Sequence, residues 1–401
     1  MNEQGMHLPL SGVRVIAVEQ YGAGPFGSMQ LADLGAEVIK IENPTDGGDM
    51  GRHVGPYRLG EGDSHFFQSL NRNKKSLTLD LKNPAGREVL LKLVEGADAV
   101  LNNLRGDLPE KLGLTYSQLR HVNERIVCSH LSAYGRTGDR ANWPGYDYLM
   151  QAEAGYLSVT GEPGSPPSRM GLSIVDFMTG LYSAYALVSA VLGARSRGVG
   201  TDIDVNLFDC ALQNLSYLGA WYLNEGHVQG REPASAHPSL TPSQLYRTKD
   251  SFVFIMCNKE KFWPVLCDAL GVPGLAADER FANFAARLRN REEMNTVLEG
   301  YLQARTTAEW LSIFQGRVPA APVNDVSAAL ESEFVKDGGS VWELPHPTRS
   351  TFRVIGAPFK VGESPLPRNP APTLGEHTDE ILQTCGFSDA QIRDLRSAKA
   401  V

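Results

Sequence analysis

Cysteine is scarce in this 401-residue chain: five residues, Cys128, Cys210, Cys257, Cys267 and Cys385. Their number is odd and no Cys-x-x-Cys pair occurs, which argues against a disulfide framework or a thiolate zinc site and for thiols in a reducing cytosol. His-Glu-x-x-His, Cys/His clusters and a P-loop are also missing, so neither a metal nor nucleoside-triphosphate chemistry is expected. No Gly-x-Ser-x-Gly elbow marks a serine hydrolase. Positive charge is in deficit, with 38 Lys and Arg against 46 Asp and Glu for a net charge of −8. That balance excludes a polybasic surface for nucleic acid or membrane and leaves room for a local phosphate site. Apolar runs are broken well before eighteen residues, so no membrane span is expected. The stretch Met1-Asn-Glu-Gln-Gly-Met-His-Leu-Pro-Leu10 lacks the basic start and apolar core of a signal peptide, and a cytoplasmic location follows as an expectation.

What is present reads as an ordinary globular chain, 42% hydrophobic and 21% charged, long enough for two domains. Val13-Arg-Val-Ile-Ala-Val18 reads as a buried strand, residues 22–27 as a Gly-rich turn, residues 28–34 as helix, and Ala36-Glu-Val-Ile-Lys-Ile41 as a second strand. Strand–turn–helix–strand is a βαβ unit and implies a parallel sheet. A helix over residues 84–95 and strands at 98–101 and 125–131 continue the α/β pattern. From residue 181 the chain reads mainly helical to about 223, interrupted by a strand at 201–205. Residues 225–242 form a long loop rich in Gly, Pro, Ser and His, of the kind that is usually functional or mobile.

Asp176 stands out as the only charge in the apolar run Gly171-Leu-Ser-Ile-Val-Asp-Phe-Met-Thr-Gly180. A carboxylate withdrawn from water must be paired, hydrogen-bonded or used. It reads either as the N-cap of the helix that follows or as a nucleophile held at a positive helix end, and the two roles are compatible. Gly22-x-Gly24-x-x-Gly27, with Glu42 closing the next strand, matches the dinucleotide fingerprint and keeps an NAD-dependent oxidoreductase open. Pro25 weakens that reading by removing an N–H from the phosphate-facing turn. Asn71-Arg-Asn-Lys-Lys-Ser76, with Arg52, Arg105 and Lys111, supplies cationic loops for a polyphosphate or, equally, solvated basic turns. Trp143-Pro-Gly-Tyr-Asp147 opens a helix for which Asp147 reads as the N-cap; His237 lies in the long loop and, alone, reads as a bystander.

In order along the chain, these segments resemble the class III coenzyme A transferases, the family of formyl-CoA transferase and the carnitine CoA-transferases. The resemblance is carried by Ala23-Gly-Pro25 with Leu34-Gly-Ala-Glu-Val-Ile-Lys-Ile-Glu42, Asn73-Lys-Lys-Ser76 with Leu79-Asp80, and Glu110-Lys-Leu-Gly113. It continues through Pro144-Gly-Tyr-Asp147, Asp176 with Gly180, and Gly375-Glu-His-Thr-Asp379. Each block is weak alone, and together they span nearly the whole chain. The resemblance implies a large Rossmann-like α/β domain with a parallel sheet plus a smaller α/β domain, in an interlocked homodimer. The expected divisions are 1–205 for the first part of the large domain, 206–224 for a linker helix, 225–325 for the small domain and 326–401 for a returning segment.

By the same resemblance, Asp176 is the carboxylate that forms covalent acyl and CoA intermediates, with Tyr146 and Asp147 beside it. Tyr21, Gly22 and Ala23 border CoA and the reacting centre. Asn73, Lys74, Lys75, Asn103, Arg105 and Lys111 are expected to contact CoA, and His237 the substrate. No tightly bound cofactor is implied, only CoA and acyl-CoA as substrates with a carboxylic acid as acceptor. The helix at Asp176 is expected to keep the carboxylate ionised, the Gly22-Ala23 turn or the loop near His237 to stabilise an oxyanion, and the 225–242 loop to act as a lid. Arg169, His237 and Arg247 could meet the second carboxylate of a dicarboxylic acid. Two departures matter: Gly22 replaces a glutamine of formyl-CoA transferase, and Ala234-Ser-Ala-His-Pro-Ser-Leu240 replaces its glycine-rich loop, so the resemblance does not fix the formyl/oxalate pair. The related α-methylacyl-CoA racemases have histidine where Tyr146 stands; tyrosine, with a reference pKa near 10, is a poor base at neutral pH, which favours transferase over racemase.

Overall fold

The computed structural model describes residues 8–401 and divides into two compact units. The first comprises residues up to 154, 171–216 and 336–401; the second comprises 155–170 and 217–335. The expected large and small domains therefore differ at their edges: residues 155–170 leave the large unit for the small one. The expected linker helix is two helices, Leu207–Asn214 and Ser216–Glu225.

At the centre of the first unit lie six parallel strands: β1 (Arg14–Val18), β2 (Glu37–Glu42), β3 (Lys75–Thr78), β4 (Ala99–Asn102), β5 (Val127–Ser132) and β6 (Thr201–Asn206). Their spatial order is β3-β2-β1-β4-β5-β6, the doubly wound order of nucleotide-binding folds. The chain reverses its winding between β1 and β4, so their C-terminal ends diverge and leave a crevice. Strand side chains alternate between two covered faces. Ile16 and Val18 join Ile39, Leu77, Leu90 and the C-terminal Ile381 and Ile392 on one side; Val15 and Ala17 join Leu31, Leu101 and Leu187 on the other.

Two helices on the second face set up the site: α1 (Ala23–Asp33), which follows β1, and α2 (Ile174–Arg197), which precedes β6. Buried positions of α2 fall at Asp176, Thr179, Gly180, Ser183, Ala184, Leu187, Val191 and Ala194, one helical stripe dominated by small side chains. That stripe lets the helices touch backbone to backbone. A Cβ on Gly27 would lie 2.5 Å from the Gly180 carbonyl oxygen, and one on Gly180 would lie 2.5 Å from the Ala23 carbonyl oxygen. The helix ends at Gly198 in the left-handed conformation, φ 79°, which glycine adopts without a steric penalty. By length and composition α2 is apolar enough to cross a bilayer, contrary to the expectation from the sequence; its buried stripe packs on α1 and the sheet.

The second unit holds a three-stranded antiparallel sheet, Ala320–Pro322 beside Phe252–Met256 beside Ser243–Arg247. Its own core gathers Tyr246, Ile255, Trp263, Phe281, Leu298 and Trp310.

The glycine contact gives a stability test. Gly27→Ala should destabilise the protein by about 2 kcal/mol or more, because backbone atoms on the facing helix cannot move aside as a side chain would. Gly193→Ala, in α2 and meeting only the flexible Arg197 side chain, should stay within about 1 kcal/mol of wild type. Equal effects in chemical denaturation would mean that the α1–α2 contact does not set the packing.

Candidate active site

Tyr21, Gly22 and Ala23 follow β1, Asn103 and Arg105 follow β4, and Ser132 and Ala133 lie at the end of β5. With Trp143, Tyr146 and Asp176 they line a cleft of about 250 Å3 in the crevice at the strands' C-terminal ends. A second cavity of about 300 Å3 lies over the ends of β1, β2 and β3 and shares Gln20, Leu104 and Leu108 with the first. The two together form one elongated depression along the sheet edge.

Asp176 is the third residue of α2, and the N-cap is Ser173, so the capping role expected for Asp176 belongs three residues earlier. Its side chain is 8% exposed, and no hydrogen bond or ion pair among the described residues engages its carboxylate. Burial first, and the nearby Asp147 carboxylate second, push its pKa up to about 7. Burial and Asp147 thus work against the expectation that the helix end holds it ionised. Asp147 is the first residue of the helix Asp147–Glu153, behind Tyr146 as N-cap, rather than the cap itself. One of its oxygens accepts the Asp176 backbone N–H at 2.9 Å, and the other accepts from Gln151 at 2.6 Å. Asp147 thus fixes the first turn of α2 while facing Asp176 with like charge.

Opposite Asp176 lies the start of α1. Gly22 is its N-cap, no side chain caps it, and Pro25 fills an early position where a missing N–H is harmless. The N–H groups of Gly22, Ala23 and Gly24 have no acceptor among the described residues, and Gly22 and Ala23 open this positive helix end on the cleft. A Cβ on Gly22 would fall 2.3 Å from the Asp176 Oδ2, so only glycine leaves room for the carboxylate there. Tyr21 has a left-handed backbone, φ 68°, and its ring packs between Phe66 and Tyr146. Asn103 clamps the residue before it: Oδ1 accepts the Gln20 N–H at 2.9 Å, and Nδ2 donates to the Gln20 carbonyl at 2.6 Å.

Asn73, Lys74 and Lys75 do not line the cleft, and the turn that holds them is not the solvent-facing basic loop expected from the sequence. Arg72 is buried on Asp33, at 2.6 Å, and Asn73 donates to the same carboxylate. Lys74 is buried among Glu19, the Pro25 carbonyl and Asn71, with desolvation pulling its pKa down to about 8. Lys75 bridges Glu37 and Glu380. Arg52 is equally committed, to Glu42. Arg105 does reach the cleft, held on Asp107, to which the exposed Lys111 also pairs. His237 belongs to the second unit, where Nδ1 accepts the N–H groups of Ser239 and Leu240 and the ring stacks on Tyr217. Arg169 and Arg247 lie in that unit too.

The dinucleotide reading loses its support here. Glu42, which would bind a ribose hydroxyl, is buried against Arg52, Ser76 and the Asp49 N–H. Gly24 and Gly27 serve packing, against Asn103 and Gly180 respectively. Met50, Trp143 and Asp49 were not legible as site residues: Asp49 and Met50 open a 3-10 helix of four residues, Met50–His53, and Trp143 lies in a loop, where no periodicity marks them.

If Asp176 reacts as the carboxylate, kcat/KM for the free enzyme should rise with pH and level off above about 7. Asp147→Asn should move that midpoint downward without restoring an ordinary aspartate value, because burial remains. The same shift is a stability term. A carboxyl whose folded pKa lies above its unfolded value of about 3.9 destabilises the fold progressively from about pH 4 to about pH 7, by at most about 4 kcal/mol. Asp176→Asn should therefore melt higher than wild type at pH 8 and no higher at pH 4; equal melting temperatures at pH 8 would contradict the buried, unpaired carboxylate.

A family description, CoA-transferase family III, matches residues 10–378. An acyl-CoA transferase from Fusarium pseudograminearum is 35% identical over 94% of this chain and 85% of its own. The succinate–glutarate CoA-transferase of Agrobacterium fabrum is 33% identical over 93% of this chain and 95% of its own. The crystal structure of a CAIB/BAIF family protein from Brucella suis superposes with a TM-score of 0.81 at 32% identity, covering 95% of this chain and 100% of that one. With a match of that extent, and a buried carboxylate facing an open helix end in a nucleotide-type crevice, the chain belongs to CoA-transferase family III and is a CoA-transferase.

Proposed function

We propose that this enzyme moves coenzyme A between dicarboxylic acids of the succinate and glutarate class through covalent intermediates on Asp176. The observation that carries the covalent reading is the unpaired Asp176 carboxylate lodged against the uncapped start of α1. The acid class is supported by the relative named for succinate and glutarate and by Arg105, a cation in the cleft wall.

An Asp176 oxygen adds to the thioester carbonyl of the donor. The C–S bond breaks, its electron pair leaves with the CoA thiolate, and an aspartyl–acyl anhydride remains. The thiolate then adds to the Asp176 carbonyl carbon and expels the donor acid as its carboxylate, leaving an aspartyl–CoA thioester. The acceptor carboxylate attacks that same carbon, releasing thiolate and forming the second anhydride. Attack of the thiolate on the acceptor's acyl carbon completes the new acyl-CoA and regenerates Asp176. Both derivatives of Asp176 stay activated, so the thioester free energy is conserved at each step. The open N–H groups at Gly22 and Ala23 are placed for the oxyanions, which a helix N-terminus stabilises without reorganisation. The elongated depression suits the substrate's shape, with the nucleotide end over β1–β3 and the thioester beside Asp176. Tyr146 stands where the racemases carry a histidine, so the imidazole that would exchange an α-proton is replaced here.

A homodimer is part of the proposal, supported by exposed apolar residues on α2, with Tyr185 75% and Leu192 72% exposed. Sedimentation should give twice the chain mass, and cell fractionation should place the enzyme in the cytoplasm.

Incubation with succinyl-CoA and carbon-labelled glutarate should yield labelled glutaryl-CoA, with no washout of α-hydrogen into water. Asp176→Ala should lose this activity by at least about 1,000-fold. Gly22→Ala, whose methyl group would displace the carboxylate, should lose about 100-fold. Retained transfer in Asp176→Ala would rule out the covalent route, and α-hydrogen washout would favour the racemase reading.

A further inference from the structure

We propose that Asp49 is a positioning residue for the transfer reaction: its carboxylate locks the left-handed backbone of Tyr21 and thereby fixes the 22–23 turn against Asp176. This rests on the covalent reading given above.

Tyr21 is a non-glycine residue at φ 68°, in a region that L side chains disfavour. Such a conformation persists only where its surroundings over-determine it, and it is most often found at functional sites. Here two holds on the Gln20–Tyr21 peptide are visible: Asn103 takes the Gln20 carbonyl, and Asp49 takes the Tyr21 N–H. Asp49 Oδ1 accepts the Tyr21 N–H at 2.9 Å and the Gly51 N–H at 2.7 Å. Asp49 Oδ2 lies 2.8 Å from the Lys40 Nζ, which is itself fully buried and donates to the Glu19 carbonyl at the end of β1. The backbone N–H of Asp49 is anchored on Glu42, which Arg52 holds in turn. Asp49 is only 2% exposed. A rigid chain of contacts thus runs from β2, through Lys40 and Asp49, to the amide immediately before Gly22. Gly22 in its turn has no spare space beside Asp176 Oδ2. Rotation of the Tyr21–Gly22 peptide would move both the carboxylate's contact surface and the N–H groups at the start of α1. Asp49 lines the second cavity but makes no contact with Asp176, and it acts on the reacting centre through Tyr21.

The competing role is simpler: Asp49 neutralises buried Lys40 and does nothing for the reaction. Substitution separates the two. Asp49→Asn keeps an oxygen that can accept both N–H groups and gives up the charge, but its NH2 would face the Lys40 ammonium donor to donor, so it is paired with Lys40→Met. Asp49→Ala gives up both.

The test is rapid-quench acylation of Asp176 by succinyl-CoA, read by intact mass, with steady-state kcat and KM for the same donor. Asp49→Ala should slow acylation and kcat by about 100-fold, the scale of a misplaced donor or a shift of about 1 Å in a reacting geometry, while KM stays within about threefold. Asp49→Asn/Lys40→Met should recover to within about tenfold of wild type. A folded Asp49→Ala with wild-type acylation overturns the proposal, and so does Asp49→Asn/Lys40→Met as slow as Asp49→Ala. Should Asp49→Ala fail to fold, the double variant Asp49→Asn/Lys40→Met removes both charges and keeps the acceptor. It should acylate within about tenfold of wild type, and a folded double variant slower by about 100-fold contradicts the account. Absence of acylation in the wild-type enzyme would instead count against the covalent reading.

Discussion

Everything in the active site depends on one close approach: the Asp176 carboxylate against the Cα of Gly22, in a space that admits no side chain. That approach is dictated a turn and more away, where Gly27 and Gly180 bring α1 and α2 into backbone contact. Small residues along α2 make the contact, and the contact aims the carboxylate at the first turn of α1. The cost is borne by Asp176 itself, which is shielded from water and faces Asp147, so that its proton is held until about pH 7. For a nucleophile this is useful, because a carboxylate with a raised pKa is more basic and poorly solvated, and it sits where a developing oxyanion meets open N–H groups.

Around this centre, charges divide into two kinds. Glu19, Lys40, Glu42, Asp49, Arg52 and Lys74 are buried and mutually engaged, three of each sign, which fixes the β1–β2–β3 edge. Breaking one member of such a set leaves an uncompensated charge, so these residues are costly to substitute whether or not they meet substrate. Asp176 is of the other kind, buried with no partner, whereas Arg105 at the cleft is itself paired with Asp107. Contrast between satisfied and unsatisfied charge, more than charge itself, sets Asp176 apart from the scaffold in this fold.

Much of this was legible in the sequence. The runs around residues 13–18 and 36–41 and the helix Pro84–Glu95 declare themselves through buried-strand composition and amphipathic period. The lone charge at Asp176 singled out the buried, unpaired carboxylate that lines the cleft. What was misread depended on distance along the chain. The basic cluster at residues 71–76 looked solvent-facing because its partners, Asp33, Glu19, Glu37 and Glu380, are dozens to hundreds of residues away. The helix start was placed at Asp176 because aspartate caps well, whereas Ser173, three residues earlier, holds the position. The excursion of residues 155–170 into the second unit has no local signal, since unit membership is decided by packing. Asp49 was invisible for a related reason: its role lies in a bond to Tyr21 that no spacing rule foretells.

The central claim is that Asp176 carries both the acyl group and CoA during turnover. Hydroxylamine quenching of the enzyme in the presence of an acyl-CoA, followed by digestion and peptide mass mapping, addresses it most directly. The account requires a hydroxamate on the peptide containing Asp176, formed only with an acyl-CoA present. A hydroxamate on any other residue, or transfer between acids with Asp176 never modified, would contradict it.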